Sequence, residues 1–495
     1  NHYVILMNNT ILRGVTSSAL LTVYLFNIIS MMFSFKSTLF DYPGFSPIGI
    51  ISVLLFIGII VLCTFYNNLF FFFIPFVTLA FPNIINDFFP SFMMGPLSEN
   101  RVASFSFFTH IDLFLLFGIF LFKHEKPNEL RGKGIFYLIS FLATICFFFI
   151  LTIILTSSLD LLSLFAIGTY QIRYIFLFLL YLVQIKLTKN RIRLIIYGLS
   201  FSVLFLFIES IFFTLVGGKS TLASGTLASN VYANIIAAIL LFFTFINTKT
   251  YQFNPIYFQP IRLITMAIGF TILILNGTRI AMLSLMVAGG LYYLLTTFNF
   301  KSIIQLISRL VGYGLLFAFL ILIALQFDRF KSIIIIMTDL INLDLQFNEN
   351  TASLFARLFL YKVSGNMILD HWLVGIGPGR WNFMKYDFGF QQTGTLLTNV
   401  LLDPHSDYLS YISQYGLFGF IMMGFILIFP AVQFLKNPTN VLSFFGIIPF
   451  TLLFSGLTNS NTLKHQVFAL SGLIIFIVTQ KWLHQNSFDS ETIQT

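Results

Sequence analysis

Long unbroken runs of apolar residues are the feature that most limits how this chain of 495 residues can fold. Helical runs of about 17 to 25 such residues match the roughly 30 Å hydrocarbon core of a bilayer. Strands that span a membrane would instead alternate apolar and polar residues, which these runs do not. The chain is 57% hydrophobic and 9% charged, which excludes a soluble multidomain enzyme because so few charges cannot cover a water-facing surface. The sequence therefore predicts an all-α polytopic membrane protein.

The positions of lysine and arginine predict on which side of the membrane each loop between the helices lies. The length criterion gives about 14 runs, so we expect about 12–14 transmembrane helices. The short loops after even-numbered runs hold most of the positive charge, which places these loops and both termini in the cytoplasm. Those loops account for the net charge of +9, and no nucleic-acid partner is expected. The runs are 11–33, 46–65, 68–88, 105–122, 135–157, 167–187, 192–216, 229–247, 261–276, 278–297, 303–327, 407–435, 440–458 and 466–483.

One external connection is much longer than the others and divides the chain. Spans 1–11 occupy residues 1–327, the long external segment is 328–406, further spans occupy 407–485, and 486–495 is a cytoplasmic tail. Loops longer than about 15 residues are usually functional or have structure of their own. We expect this segment to form short amphipathic helices that lie on the membrane surface or over a cavity.

Cations at the outer ends of predicted spans are candidates for anion binding, because charge within a span is costly unless it has a function. Arg279 directly follows an Asn-Gly-Thr turn and faces either an anionic ligand or helix-end carbonyls. Arg173, near the outer end of span 6, and Lys219, in an external turn, fit anion binding and interfacial anchoring equally well. Glu209 is expected to pair with one of these cations, whereas Asp112 has no predicted role.

The end of the external segment offers a proton acceptor beside a helix start. Ser406 can cap the following helix, so His405 would stand at its outer mouth. An imidazole with pKa near 6.5 can take or give a proton at working pH, although a solvated polar histidine is the alternative. Upstream, Gly375, Gly377 and Gly379 allow a tight turn with exposed backbone N–H groups, a candidate anion nest. The turn matches neither a Walker A loop nor a dinucleotide-binding fingerprint.

Several kinds of catalytic site are missing from the sequence. It has no Asp-x-Asp pair, no His-Glu-x-x-His or cysteine cluster, and no Gly-x-Ser-x-Gly elbow. Cys63 and Cys146 lie in apolar runs and are interpreted as buried filler. We therefore expect no metal site and no cofactor. An anionic leaving group would have to be neutralised by arginine, lysine and backbone amides.

Three segments together resemble the O-antigen ligase/polymerase superfamily of bacterial membrane glycosyltransferases. The first is 225–234, Gly-Thr-Leu-Ala-Ser-Asn-Val-Tyr-Ala-Asn, and the second is Thr278-Arg279 with the small-residue apolar run behind it. The third follows the family's order and approximate spacing: Arg357, then 373–379, then 405–409, then 414–419. The sequence departs from the family at Ser406, where asparagine is usual, and at Lys219, where an arginine is common.

The resemblance implies transfer of a whole glycan from undecaprenyl diphosphate to a sugar hydroxyl, inverting and without a metal, at the periplasmic face of the bacterial inner membrane. Arg279, Lys219 and Arg173 would bind the diphosphate, and His405 would act as general base or orient the acceptor hydroxyl. The external segment would close over the site and exclude water. The supporting residues would be Arg357, Gly375, Gly377, Gly379, Arg380 and Tyr408.

The resemblance leaves the acceptor open. A polymerase would extend a growing glycan, a ligase would join the glycan to lipid A core, and a protein O-oligosaccharyltransferase would modify serine or threonine. The number of spans slightly favours a polymerase. The expected partners are the undecaprenyl-diphosphate-linked glycan, an acceptor glycan or lipid A core, membrane lipids and a chain-length regulator. A lipid or glycan flippase is the alternative from another class, but transporters concentrate polar residues near mid-membrane.

Overall fold

The computed structural model of the protein describes its chain in several stretches. These are 47–82, 91–94, 103–106, 109–123, 125, 184–217, 229–297, 352–377, 380–390, 404–459 and 465–483, with single positions between 143 and 155, between 173 and 182, and at 311. The predicted span 11–33 and nearly all of 303–327 lie outside the described residues.

Helices make up almost all of the described secondary structure. They are α1 (Pro47–Phe65), α2 (Leu69–Leu79), α3 (His110–Leu121), α4 (Lys189–Gly217), α5 (Ser229–Phe245), α6 (Pro255–Asn276), α7 (Arg279–Thr297), α8 (Ala352–His371), α9 (Trp381–Met384), α10 (Asp407–Tyr415), α11 (Leu417–Met423), α12 (Phe429–Lys436), α13 (Ile447–Ser455) and α14 (His465–Leu483). A π-helical turn, Gly424–Ile428, joins α11 to α12, and a 3-10 turn, Ser443–Gly446, leads into α13.

The helices confirm the predicted all-α polytopic class. Three stretches of the described chain are long and apolar enough to cross a membrane: Lys189–Phe212, Pro255–Asn276 and Leu417–Lys436. Shorter apolar helices accompany them, including α2 and α3. A small antiparallel hairpin of β1 (Ser91–Met94) and β2 (Ala103–Ser106) was not predicted. It takes the first residues of the span expected at 105–122, so that helix begins only at His110.

Local sequence signals explain where α6 begins and ends. The side chain of Asn254 accepts the N–H of Ile256 (3.0 Å), and Pro255 occupies the first turn, where its missing N–H is harmless. The helix ends at Gly277, whose φ of +69° is left-handed and therefore suits glycine. Only two residues, Gly277 and Thr278, separate α6 from α7. This tight turn confirms that two helices follow each other closely here, as the sequence predicted.

Arginines bind helix ends at one end of the bundle, which we call the arginine face. Arg191 forms an ion pair with Glu125. Arg262 donates to the carbonyls of Phe243 (2.7 Å) and Thr244 (2.6 Å) at the C-terminus of α5. A cation at this position is favoured by the helix dipole and satisfies carbonyls that lack helical partners. The residues of the arginine face lie in or beside loops that the charge pattern assigned to one side of the membrane.

A buried ion pair gives Arg173 and Asp112 roles that the sequence did not predict. Both side chains are fully buried, and Arg173 Nη2 lies 2.7 Å from Asp112 Oδ2. The same carboxylate accepts the N–H and the hydroxyl of Thr109 (2.8 Å each), which closes a capping box at the start of α3. Because Asp112 already neutralises Arg173, this geometry favours a structural role for Arg173 over the predicted diphosphate binding. Glu209, which was expected to pair with one of the outer cations, is not needed to neutralise Arg173.

We expect Asp112→Ala to lower the free energy of unfolding by about 3–5 kcal/mol, because it leaves the buried Arg173 guanidinium without its carboxylate. Thermal unfolding of the purified protein in detergent measures this loss. The double variant Asp112→Leu with Arg173→Met should recover most of it, since no buried charge remains.

The matched control for this ion pair is Glu125→Ala. It removes the carboxylate of the Arg191–Glu125 pair, whose side chains are 12% and 30% exposed. Exposed pairs contribute about 1 kcal/mol or less, so this variant should unfold close to the wild-type temperature. Equal losses in Glu125→Ala and Asp112→Ala would contradict the structural role of the buried pair.

Candidate active site

The predicted twelfth span, 407–435, is not the single helix that we expected. It breaks at Gly416, whose φ of +59° is a left-handed conformation that glycine adopts readily. A Cβ on Gly419 would collide with the carbonyl oxygen of Tyr411. Residues eight apart in a straight helix are separated by about 12 Å, so the chain folds back at the break and α10 packs alongside α11. The N-terminus of α10 is thereby turned into the protein, where Asp407 is fully buried.

The glycine-rich turn before α9 holds this break with backbone hydrogen bonds. The N–H groups of Ile376 and Gly377 donate to the carbonyls of Ser413 and Gln414 (2.9 Å each), in the last turn of α10. The N–H of Gly375 donates back to the end of α8 (2.7 Å). The predicted anion nest is therefore wrong for these three N–H groups, because carbonyls already occupy them. We call residues 375–377 the glycine clasp.

Two glycines allow the clasp and the break to touch. Gly375 has φ +74°, and a Cβ there would collide with the backbone of Gln414. In the opposite direction, a Cβ on Gly416 would collide with the carbonyl of Leu373. Each glycine thus lies directly against the backbone of the other segment, so neither position has room for a side chain. Gly375 was predicted to support the site. In the structure it allows the close backbone contact with the last turn of α10.

The segment that was predicted to be external has a small core of its own that anchors the clasp. The indole N–H of Trp381 donates to the hydroxyl of Ser364 on α8 (3.0 Å). The ammonium of Lys385 is only 1% exposed and lies 4.8 Å from the ring centroid of Phe390 and 5.3 Å from that of Tyr386, within cation–π range. The other buried members of this core are Leu360, Val363, Met367 and Ile376. Helices in this segment were predicted, but the buried lysine was not.

His405 stands before α10 in a backbone conformation that is rare for a residue other than glycine. Its φ is +50°, and such strained positions cluster at functional sites. Ser406 caps α10 by accepting a backbone N–H (3.4 Å), as predicted. The N–H of Asp407 donates to the carbonyls of Gly456 (2.8 Å) and Asn459 (3.2 Å), after α13. His405 is therefore held where the start of α10 meets the connection between α13 and α14.

Arg279 is the first residue of α7 and is half-buried. The turn before it is rigid: the N–H of Gly277 donates to the carbonyl of Leu273 (3.3 Å), and the hydroxyl of Thr278 donates to the side chain of Asn276. The helix dipole opposes a cation at a helix N-terminus, so helix stability does not explain an arginine here. A bound anion would interact favourably with both the guanidinium and the helix start.

His405 and Arg279 lie at the same end of the bundle, opposite the arginine face. The ring of Tyr292, late in α7, lies 6.3 Å from the ring of Phe444, just before α13, and 4.5 Å from a ring at the C-terminus of α5. Measured from the level of these rings, Arg279 lies back along α7 and Gly456 lies forward along α13. The two distances along the helix axes are similar, each about 18–20 Å. Gly456 in turn binds the start of α10. The two residues that the sequence singled out therefore share one side of the molecule.

Two supporting residues also lie at this end. The hydroxyl of Tyr408 donates to the carbonyl of Leu453 (3.0 Å) and so ties α10 to α13. Arg357 precedes Tyr361 by one helical turn on α8, and the hydroxyl of Tyr361 donates to the carbonyl of Leu457 (3.1 Å). Residues four apart share a helix face, so Arg357 faces the connection after α13. This placement puts Arg357 on the side of α8 that faces the residues after α13.

Arg380 supports the clasp rather than standing free. Its guanidinium donates to the carbonyl of Ile376 (3.3 Å). Burial lowers the pKa of Arg380, and the nearby carboxylate of Asp387 opposes that shift. Lys219 and Gly379 lie outside the described residues, so their predicted roles stay predictions.

Sequence reasoning missed the connection between α13 and α14 as part of the site. A Cβ on Gly456 would lie only 2.8 Å from the carboxylate of Asp407, so a side chain there would block the close approach of α10. The hydroxyl of Ser406 also donates to the Gly456 carbonyl (3.3 Å). The only sequence signal was the polar run Gly456-Leu457-Thr458-Asn459 at the end of an apolar span. Most of that run was included in the predicted span 440–458.

A known family model matches part of the chain. Residues 264–424 match the family model of O-antigen ligase. The matched stretch begins within α6, ends after α11, and contains Arg279, Arg357, the glycine clasp and His405, but not Arg173. No curated protein matches the chain. The predicted resemblance to the O-antigen ligase/polymerase superfamily is confirmed over this stretch.

We expect Gly375→Ala to lower the free energy of unfolding by about 2 kcal/mol or more, because an alanine is strained at positive φ and its Cβ meets the Gln414 backbone. Thermal unfolding in detergent measures this effect. Gly365→Ala is the matched control, since a Cβ at that position of α8 meets nothing within 4 Å. The control should be neutral or gain up to about 1 kcal/mol from helix propensity. Similar stability of the two variants would show that the clasp does not hold the break.

Proposed function

We propose that the protein transfers a glycan en bloc from undecaprenyl diphosphate to a sugar hydroxyl, with inversion at the anomeric carbon. The observation that carries this proposal is that Arg279 and His405 lie at one end of the bundle, inside the stretch that matches the O-antigen ligase model. The other end carries the arginine face. By the positive-inside rule, this polarity supports a reaction at the periplasmic face of the bacterial inner membrane.

Arg279 is proposed to hold the leaving diphosphate. As the bond from the anomeric carbon to the phosphate oxygen breaks, negative charge grows on that oxygen. A guanidinium forms two parallel hydrogen bonds to phosphate oxygens and is always charged. The helix start behind Arg279 adds N–H groups that point toward an anion. Arg357 is a second candidate cation, because α8 turns it toward the same connection after α13. Lys219 remains a predicted contributor.

His405 is proposed to act as general base for the acceptor sugar. The acceptor hydroxyl oxygen forms a bond to the anomeric carbon on the face opposite the diphosphate, and its proton passes to the imidazole. General base catalysis of this kind contributes about 10²–10⁴-fold in rate. The external segment would exclude the water that could otherwise hydrolyse the donor. Its own core and the glycine clasp support such a cover, because they fix the segment to α10.

The acceptor distinguishes three forms of this proposal. A polymerase transferring to a growing glycan is slightly favoured by the predicted number of spans, whereas a ligase would use lipid A core. A protein O-oligosaccharyltransferase would use serine or threonine. Purified protein given its lipid-linked glycan and each acceptor in turn would decide among them by the product formed. Membrane lipids surround the site in each case, and a chain-length regulator is expected only for the polymerase.

We expect His405→Asn to reduce the rate of glycan transfer by at least about 100-fold while the protein stays folded, because it removes the proton acceptor. Asparagine is chosen because it tolerates positive φ better than alanine. The assay follows transfer from the lipid-linked donor in detergent. His371→Asn is the matched control, since it makes the same change at an exposed histidine of the external segment. Arg279→Gln should also stop transfer. Normal rates in either His405→Asn or Arg279→Gln would reject the assigned role.

Transfer should continue at full rate in excess EDTA. The reason is that arginines, rather than a divalent cation, are proposed to neutralise the diphosphate, and the sequence has no Asp-x-Asp pair to hold such a cation. The measurement compares initial rates with and without chelator. A sharp loss that added magnesium or manganese restores would show that a metal takes part.

A further inference from the structure

The connection between α13 and α14 contains a buried amide without a hydrogen-bond partner. Asn459 is only 2% exposed, and both its Oδ1 and its Nδ2 lack a partner in the described part of the chain. The hydroxyl of the adjacent Thr458 also lacks a hydrogen-bond partner in the described part of the chain. Buried polar groups nearly always form hydrogen bonds, because leaving them without one is unfavourable. Three such atoms on consecutive residues point to a ligand that is bound during function.

These atoms lie beside the candidate general base. The carbonyl of Asn459 accepts the N–H of Asp407 (3.2 Å), two residues after His405. Three residues earlier, the carbonyl of Gly456 accepts the hydroxyl of Ser406. The two residues that follow His405 are therefore fastened to the segment that carries the amide. This neighbourhood is the place where the proposed function requires the acceptor hydroxyl.

We propose that Asn459 and Thr458 bind hydroxyl groups of the acceptor sugar next to His405. An amide offers one acceptor and two donors at fixed spacing, and the threonine hydroxyl both donates and accepts. Neighbouring sugar hydroxyls each donate and accept as well, so they match this pair. The diphosphate fits less well, because the amide oxygen would face another oxygen that can only accept. The two residues would thus determine which acceptor sugar is used. This inference rests on the proposed function.

Replacement of the amide by an apolar group of similar size separates binding from folding. Asn459→Leu should leave the unfolding temperature unchanged or raise it, because the resting protein loses no hydrogen bond. The KM for the acceptor should rise, and kcat/KM should fall by about 10- to 100-fold, since acceptor hydroxyls would lose their partners. Thr458→Val should change both quantities in the same direction by less. The assay uses lipid-linked glycan extracted from native membranes as donor, with the acceptor glycan titrated.

Gln480→Leu is the matched control for a buried amide that has a structural bond. The Nε2 of Gln480 donates to the carbonyl of Ile185 (3.2 Å), near the arginine face. This variant should lower the unfolding temperature and leave the acceptor KM unchanged. The proposal is overturned if Asn459→Leu destabilises the protein as Gln480→Leu does, or if it keeps the wild-type KM. An inactive wild-type protein would instead reject the proposed function itself, so the two failures can be told apart.

Discussion

The pair of hydrogen bonds from Ile376 and Gly377 to the last turn of α10 is the interaction on which the site depends. A helix that ends within a membrane protein leaves carbonyls that must find donors inside the protein. The glycine clasp supplies these donors, so the chain can fold back at Gly416. The fold-back in turn brings the start of α10, with His405, against the connection after α13.

Two arginines of the described chain occupy different physical situations. Arg173 is enclosed with Asp112, and its charge is used to hold α3 against its neighbours. Arg279 occupies a helix start, where the helix dipole is unfavourable to a cation. Both arginines were predicted to lie near the outer ends of spans. Arg173 nevertheless has a structural role, whereas Arg279 is a candidate for function. Burial together with a carboxylate marks the structural arginine, and electrostatic mismatch with the helix marks the functional candidate.

The sequence predicted the class of fold and several local features, because these depend on neighbouring residues. Apolar run length indicated spanning helices, the serine before α10 indicated a cap, and the Asn-Gly-Thr turn indicated a helix boundary before Arg279. The sequence did not predict the break at Gly416, because a glycine in an apolar run is compatible with a straight helix. It also missed the pairing of Asp112 with Arg173, which are far apart in the chain. The anion nest failed because the partners of its N–H groups come from α10.

The clasp has a consequence for how the protein is made. The nine residues of α10 are too few and too polar to enter a bilayer by themselves. Their hydrogen-bond partners at 376–377 lie in a separate segment that has a small core of its own. Seating of the half-helix is therefore a late event during biogenesis, because it requires that this segment has folded and that α11 is in place. A chain stalled before this event would be integrated in the membrane but would have no assembled catalytic centre.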